Sequence, residues 1–217
     1  MRDKYFIIDI CGTLFRSNTT FDFVRYYYGD RWTTRILFSF PFRVLNRMLD
    51  KMLGYEPMRQ GLIRMLRGQS RQGLRQMAEQ FYDQFLLPRE NKMVTELVQQ
   101  KREQGYIPVI LSATIDPIAE AVASRLEIEQ TYSSLLSYSE EGICRGVLQT
   151  DLLRSKRTEL EAHGIRPPYA GIVTDNYSDG ELIEQSGEPY LVNYKCEEAW
   201  THVLSKDTIK RCRIISI

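Results

Sequence analysis

Apolar positions along this chain fall into runs of two periods. Near the start, Tyr5-Phe6-Ile7-Ile8-Asp9-Ile10 is continuous, β-branched and aromatic, and Cys11-Gly12-Thr13 ends it. That pattern predicts a buried strand with Asp9 close to its C-terminal end. From about Thr19 to Gly105 the spacing becomes helical. Stretches are expected from Phe21 to Tyr28 before Gly29, from Arg31 with a kink at Pro41, over about 58–67 and 70–87, and from Glu90 to Gln104. No strand is predicted in this block, which reads as a helical cap followed by a helix returning to a sheet. Beyond Gly105, short apolar runs alternate with helical ones. Strands are expected at Ile107–Leu111, Ser133–Tyr138, Ile143–Val147, Tyr169–Thr174 and Tyr190–Val192. Helices are expected from Asp116-Pro117 through Leu126, over Ser155–His163, over Asp179–Ser186 and over Glu197–Leu204. Strand–helix–strand order implies a parallel sheet covered on both faces, with ligands bound off the carboxyl ends of its strands.

Composition narrows the class without naming a task. The 217 residues are 43% apolar and 26% charged, with 13 Gly and 8 Pro thinly spread, which is globular and excludes collagen, coiled coil and a disordered tail. The cysteines at 11, 144, 196 and 212 form no CxxC pair and only two histidines are present, so a structural zinc site has almost no ligands. Free thiols and the lack of a charged-then-apolar leader make the cytoplasm the expected compartment.

Charge is distributed unevenly. The net charge is +1, yet between Arg31 and Arg75 ten basic residues face two acidic ones, Asp50 and Glu56. Two readings fit: a solvated arginine-rich helical face, or a surface suited to an anionic partner. Within it, Arg31 to Arg47 brackets aromatic and aliphatic residues with arginines, a pattern suited to a membrane interface or to a cap helix packed on its neighbours. Its uncharged run from Ile36 to Phe42 is seven residues. A membrane-spanning helix needs about 20. Peripheral membrane contact through the basic cap is therefore one expectation; no nucleic-acid recognition motif is present, so no nucleic-acid partner is expected.

Three predicted strand ends carry polar groups where a ligand would sit: Asp9, Ser112 and Asp175. Individually such residues are most often caps or turn formers, and Lys156 alone is an ordinary surface lysine. Together they supply a carboxylate nucleophile, a hydroxyl, an ammonium and a second acidic group, a set suited to magnesium-assisted phosphoryl transfer.

These residues also match a family pattern. Asp9-Ile10-Cys11-Gly12-Thr13-Leu14-Phe15 resembles the first motif of the haloacid dehalogenase-like (HAD) superfamily, and Ser112 in Val109-Ile110-Leu111-Ser112-Ala113-Thr114 the second. Lys156, with Arg157 as the adjacent alternative, resembles the third, and Asp175-Asn176-Tyr177-Ser178-Asp179 the fourth. The helical insertion after the first motif and the segment Ser139–Val147 are most similar to the phosphoserine phosphatase-like branch. The resemblance implies an α/β, Rossmann-like doubly wound mainly parallel core over 1–16 and 105–217, with an inserted all-helical cap and its return helix over 17–104.

It further implies a magnesium-dependent phosphohydrolase, acting on a small phosphorylated metabolite or lipid phosphate through an aspartyl-phosphate on Asp9. In that scheme Asp9, Cys11 through its backbone carbonyl, Asp175 and Asp179 serve the Mg²⁺. Asp179 ligates through water or orients the other ligands. Ser112 and Lys156 hold the phosphoryl group, and Gly12, Thr13, Ala113 and Asn176 line it. Cys11 is the departure. The family's phosphatases carry an acid there that protonates the leaving alcohol and then deprotonates water, whereas a thiol of pKa about 8.5 is a weak donor. Three readings follow: a slow phosphatase, an enzyme whose leaving group needs no proton, or a phosphate-binding or membrane-surface protein that has lost turnover.

Overall fold

The computed structural model describes residues 3–37, 39, 41, 56–193 and 197–216. Seven strands form one sheet in the order β4-β3-β2-β1-β5-β6-β7. They are β1 (Tyr5–Ile8), β2 (Ile107–Ile115), β3 (Gln130–Tyr138), β4 (Cys144–Thr150), β5 (Tyr169–Thr174), β6 (Ser186–Asn193) and β7 (Arg213–Ser216). All neighbours pair in parallel except β3 and β4.

Alternation along β1 decides what lies on each face. Phe6 and Ile8 point into one apolar layer with Phe23, Leu62, Phe81, Val94 and Ile118, whereas Ile7 points into another with Val109, Leu160, Ile172 and Trp200. Helices cover both layers, which is why the central strands read as continuous apolar runs. Those helices are α1 (Thr19–Tyr28), α2 (Trp32–Leu37), α3 (Pro57–Arg64), α4 (Arg71–Phe81), α5 (Lys92–Glu103), α6 (Asp116–Leu126), α7 (Lys156–Ala162), α8 (Gly180–Glu184) and α9 (Lys206–Arg211).

Several boundaries differ from expectation for local reasons. The helix expected over 70–87 leaves α geometry after Phe81, passing through a π turn at Tyr82–Leu86 and a 3₁₀ turn at Leu87–Arg89, where Pro88 has no amide to donate. β2 runs on through Ser112 to Ile115 because β3 pairs with it there, with a shift of register between the two positions. The stretch expected as a helix at Glu197–Leu204 is a 3₁₀ segment over Glu197–His202. The C-terminal α9 and β7 carry too weak a pattern to be foreseen; β7 is a four-residue edge strand with Ile215 buried and Ile214 exposed. The expected kink at Pro41 adjoins residues 42–55, which lie outside the described set. Among the described residues between Thr19 and Gly105, no strand intervenes.

Candidate functional site

β1 and β5 are neighbours, so the residues that follow them, Asp9 and Asp175, emerge side by side. The Asp9 amide donates to the Val173 carbonyl at 3.1 Å, which holds the first loop against the end of β5. That loop turns sharply at Gly12, whose φ is +68°, and a Cβ added there would overlap the Asp175 carboxylate. Glycine is thus required twice, for the left-handed backbone and for the close approach. Thr13 completes the join: its hydroxyl donates to Asp175 Oδ1 at 3.2 Å and accepts from the Asp175 amide at 2.9 Å. From the cap side, Asn91 donates through its side chain to the Thr13 carbonyl and through its backbone to Leu14.

Lys156, at the start of α7, is almost sealed from water. Its ammonium sits 3.2 Å from Asp9 Oδ1 and 2.8 Å from Asp179 Oδ2. Asp179 Oδ2 also accepts from Thr174 at 2.7 Å. Burial would lower the lysine pKa, but the two carboxylates outweigh it and hold the amine firmly protonated. Arg157 instead pairs with Glu161 and Glu181 on the exposed side of α7. Ser112, on the adjoining strand β2, lines the same cleft as Asp9 and Lys156.

Burial raises the Asp9 pKa, with Asp179 adding to the rise and Lys156 and Ser112 opposing it. Asp175 is pushed up to about 7, first by burial and then by the charge of Asp9. A carboxyl group raised in this way by a neighbouring carboxylate marks a site in want of a cation. Among the described residues, no three acidic, histidine or cysteine side chains are arranged as a ready cage. Asp179 is occupied by Lys156 and Thr174. Asp9, Cys11 and Asp175 line one opening, so two carboxylates are left there to meet a cation. That set fits magnesium, which binds few carboxylates and keeps its waters.

The Cys11 thiol faces two hydroxyls that the sequence did not single out. Its sulfur lies 2.8 Å from Thr19 Oγ1 and 3.1 Å from Thr114 Oγ1, and the two hydroxyls are 2.6 Å apart. Thr114 also receives the Ser112 hydroxyl at 3.2 Å. Burial first and Asp9 second push the thiol pKa up, so it carries its proton at neutral pH. A signal for Thr114 existed, since residues two apart on a strand share a face with Ser112. None existed for Thr19, which only the tertiary fold brings in.

Two openings meet at Asp9. An inner cleft of about 220 Å³ runs past Ser112, Lys156 and Asn176 towards Phe21 and Arg59, and a broader mouth of about 790 Å³ opens past Gly12, Asp22, Asp175 and Tyr177. Asn176 borders both, its side-chain oxygen capping the 3₁₀ turn at Ser178. Ala113 gives its carbonyl to Arg59 at 2.6 Å. Arg59, on α3, is buried and is hidden in sequence by the many arginines around it. It also pairs with Asp151 at 3.1 Å and donates to Ser134.

A doubly wound sheet with an acid after its first strand, a second acid beside it and a buried lysine joining the first acid to a third, Asp179, defines an α/β core with a helical insertion after its first strand. Residues 6–184 match the family model of the haloacid dehalogenase-like hydrolases. The chain belongs to that family. Among solved structures it is similar to a protein of unknown function from Bordetella pertussis Tohama I, at 16% identity and a TM-score of 0.76, with 99% of each chain covered. A substrate-bound phosphoserine phosphatase complex aligns at 13% identity and a TM-score of 0.64, covering 98% of this chain and 93% of that one. A phosphoserine phosphohydrolase-like protein from Francisella tularensis subsp. tularensis SCHU S4 aligns at 16% identity and a TM-score of 0.65, covering 94% and 93%. These likenesses establish the fold of the phosphoserine phosphatase-like branch. No curated protein matches the sequence.

Proposed function

We propose that the protein is a magnesium-dependent phosphohydrolase that works through a phosphoryl group carried on Asp9. One observation carries this reading: the buried Lys156 ammonium bridges Asp9 and Asp179, with Ser112 lining the same cleft as Asp9. Such a constellation has a nucleophile, a fixed cation and a hydroxyl donor around one point, the elements in-line transfer from a phosphate ester needs. Asp9 and Asp175, with the Cys11 carbonyl, would hold the metal. When bound, magnesium offsets the carboxylate charges and those of the incoming phosphate.

Asp9 attacks phosphorus, the phosphorus–oxygen bond to the leaving group breaks, and the departing oxygen takes a proton. Water then cleaves the phospho-Asp9 bond and releases inorganic phosphate. Lys156 and Ser112 bind the phosphoryl oxygens throughout, and Gly12, Thr13, Ala113 and Asn176 shape the loops around them. The proton is the weak link. Cys11 stands where a carboxylic acid would serve, and its sulfur is engaged with Thr19 and Thr114. Losing an acid–base group costs a factor of about 10² to 10⁴ in rate. Turnover should thus be slow with alkyl phosphates and faster with aryl phosphates, whose leaving groups depart unprotonated. The phosphorylated substrate is a small metabolite or a lipid phosphate that fits the inner cleft.

The test is hydrolysis of an aryl phosphate with magnesium, before and after Asp9→Asn. Activity unchanged by that substitution would overturn the mechanism. A second reading, phosphate binding without turnover, is favoured by the same engaged thiol. It predicts phosphate-analogue binding at Asp9 with no hydrolysis of any ester, in the native protein and in Cys11→Asp alike.

A further inference from the structure

The outward face of α2 is the least expected surface of the molecule. Thr34 turns inward, its hydroxyl on the Tyr28 carbonyl at 2.6 Å, and Leu37 packs over Gly61 of α3. Trp32 and Ile36, one turn apart on the opposite side, are left 72% and 49% exposed. Trp32 contrasts with the only other tryptophan, Trp200, which is 2% exposed in the core. Beside Trp32 and Ile36 runs an apolar groove of about 450 Å³, floored by Leu37, Gly61 and Met65 and edged by Arg31 and Arg64. Arg31, just before α2, and Arg35, within it, are one turn apart, and Arg31 lies over the Tyr28 ring. Asp30 is the one acidic residue between Arg25 and Asp50.

We infer that this face docks on an anionic lipid bilayer, with Trp32 and Ile36 at the headgroup boundary and Arg31, Arg35 and Arg64 on lipid phosphates. Charge complementarity selects this occupant. An exposed indole and an isoleucine, bordered by guanidinium groups on long apolar stems, match the cross-section of the interface, apolar below and anionic above. Among the described residues no helix is long and apolar enough to cross a membrane, so the contact lies on the surface. α3 links the face to the site, since it places Gly61 and Arg64 at the groove and Arg59 in the inner cleft. The inference does not depend on the proposed hydrolysis, because its readout is binding.

The experiment uses the full chain with vesicles of phosphatidylcholine alone and vesicles holding about 30% phosphatidylglycerol. Co-sedimentation is measured alongside tryptophan emission and quenching by brominated lipid. Trp200, buried, supplies a constant background. The expected result is sedimentation with anionic vesicles, a blue shift and quenching, with no comparable change on phosphatidylcholine. Trp32→Phe should remove the spectral change while largely keeping sedimentation. The pair Trp32→Ala/Ile36→Ala should weaken binding ten-fold or more, and each of Arg31→Gln, Arg35→Gln and Arg64→Gln by about five-fold. These side chains are exposed, so the variants should keep the native circular dichroism spectrum. The inference is overturned by absence of sedimentation, by binding in which Trp32 emission is unchanged, or by undiminished binding of the double alanine variant. An emission shift that tracks protein concentration without vesicles would also overturn it, making the face a contact between copies.

Discussion

The Lys156 ammonium lies 3.2 Å from Asp9 Oδ1, and both side chains are nearly sealed from water. A buried pair of this kind is held together as much by the cost of separating it as by its own attraction. Replacing Lys156 by Met should destabilise the fold by about 3–5 kcal/mol, because Asp9 and Asp179 are left without their cation. The loss should also vary with pH. Burial already raises the Asp9 pKa, and Lys156 is the chief influence opposing that rise. A carboxyl group whose folded pKa is raised stabilises most at acid pH and loses that contribution as pH climbs through the folded value. Urea unfolding of Lys156→Met should therefore show a deficit that grows as the pH is raised from acid towards neutral and above. A deficit independent of pH would mean that Lys156 acts through packing alone.

Much of this arrangement was legible in the chain, and the reason is topological. Asp9, Ser112 and Asp175 belong to β-type runs whose order fixes them at one rim of a parallel sheet, so reading the runs locates the residues. Lys156 is located by its resemblance to the family's third motif, at the start of the helix that precedes β5. What could not be read are contacts that depend on the angle between cap and core. Thr19 meets Cys11 from the first cap helix, and Arg59 crosses to Ala113 and Asp151 from the third. Neither has a periodic or spacing signal, since one threonine and one arginine among many look like their neighbours. β7 escaped because an edge strand buries one residue in two and has four residues in which to show it.

Cys11→Asp tests whether the thiol is what limits proton transfer. The pocket around it already holds two hydroxyls, Thr19 and Thr114, positioned to donate to a carboxylate as they now contact sulfur. The substitution should therefore fold and should raise alkyl-phosphate turnover by about 10² or more while changing aryl-phosphate turnover far less. The ratio of the two rates is the measurement. An equal change for both esters would place the slow step elsewhere.

Magnesium should stabilise the protein more at higher pH. Without a cation the Asp175 pKa is raised to about 7, by burial and by Asp9, so protons compete with the metal below that value. The thermal upshift given by millimolar magnesium should be small at about pH 6 and clearly larger at about pH 8. Asp175→Asn should remove most of it. Gly12→Ala should remove it too, because the new methyl group displaces the Asp175 carboxylate and the backbone there is left-handed. An upshift that survives Asp175→Asn would put the cation at some other place.

Arg59 and Asp151 form one tie between the inserted helices and the core, and the two ends of the tie are unequally exposed. The Arg59 side chain is 6% accessible and that of Asp151 33%. Removing the guanidinium lets Asp151 turn to water, whereas removing the carboxylate charge leaves a buried cation among neutral acceptors such as the Ala113 carbonyl and the Ser134 hydroxyl. Asp151→Asn, which keeps the shape and the acceptor for Ser134, should thus cost more than Arg59→Met, about 3 kcal/mol against about 1 kcal/mol. In the double variant no buried charge remains, so its stability should lie near that of Arg59→Met alone, and the double-mutant cycle should show strong coupling. Additive losses would mean that the cap is held by the apolar contacts of Leu62 and Ile63 and that the ion pair contributes little.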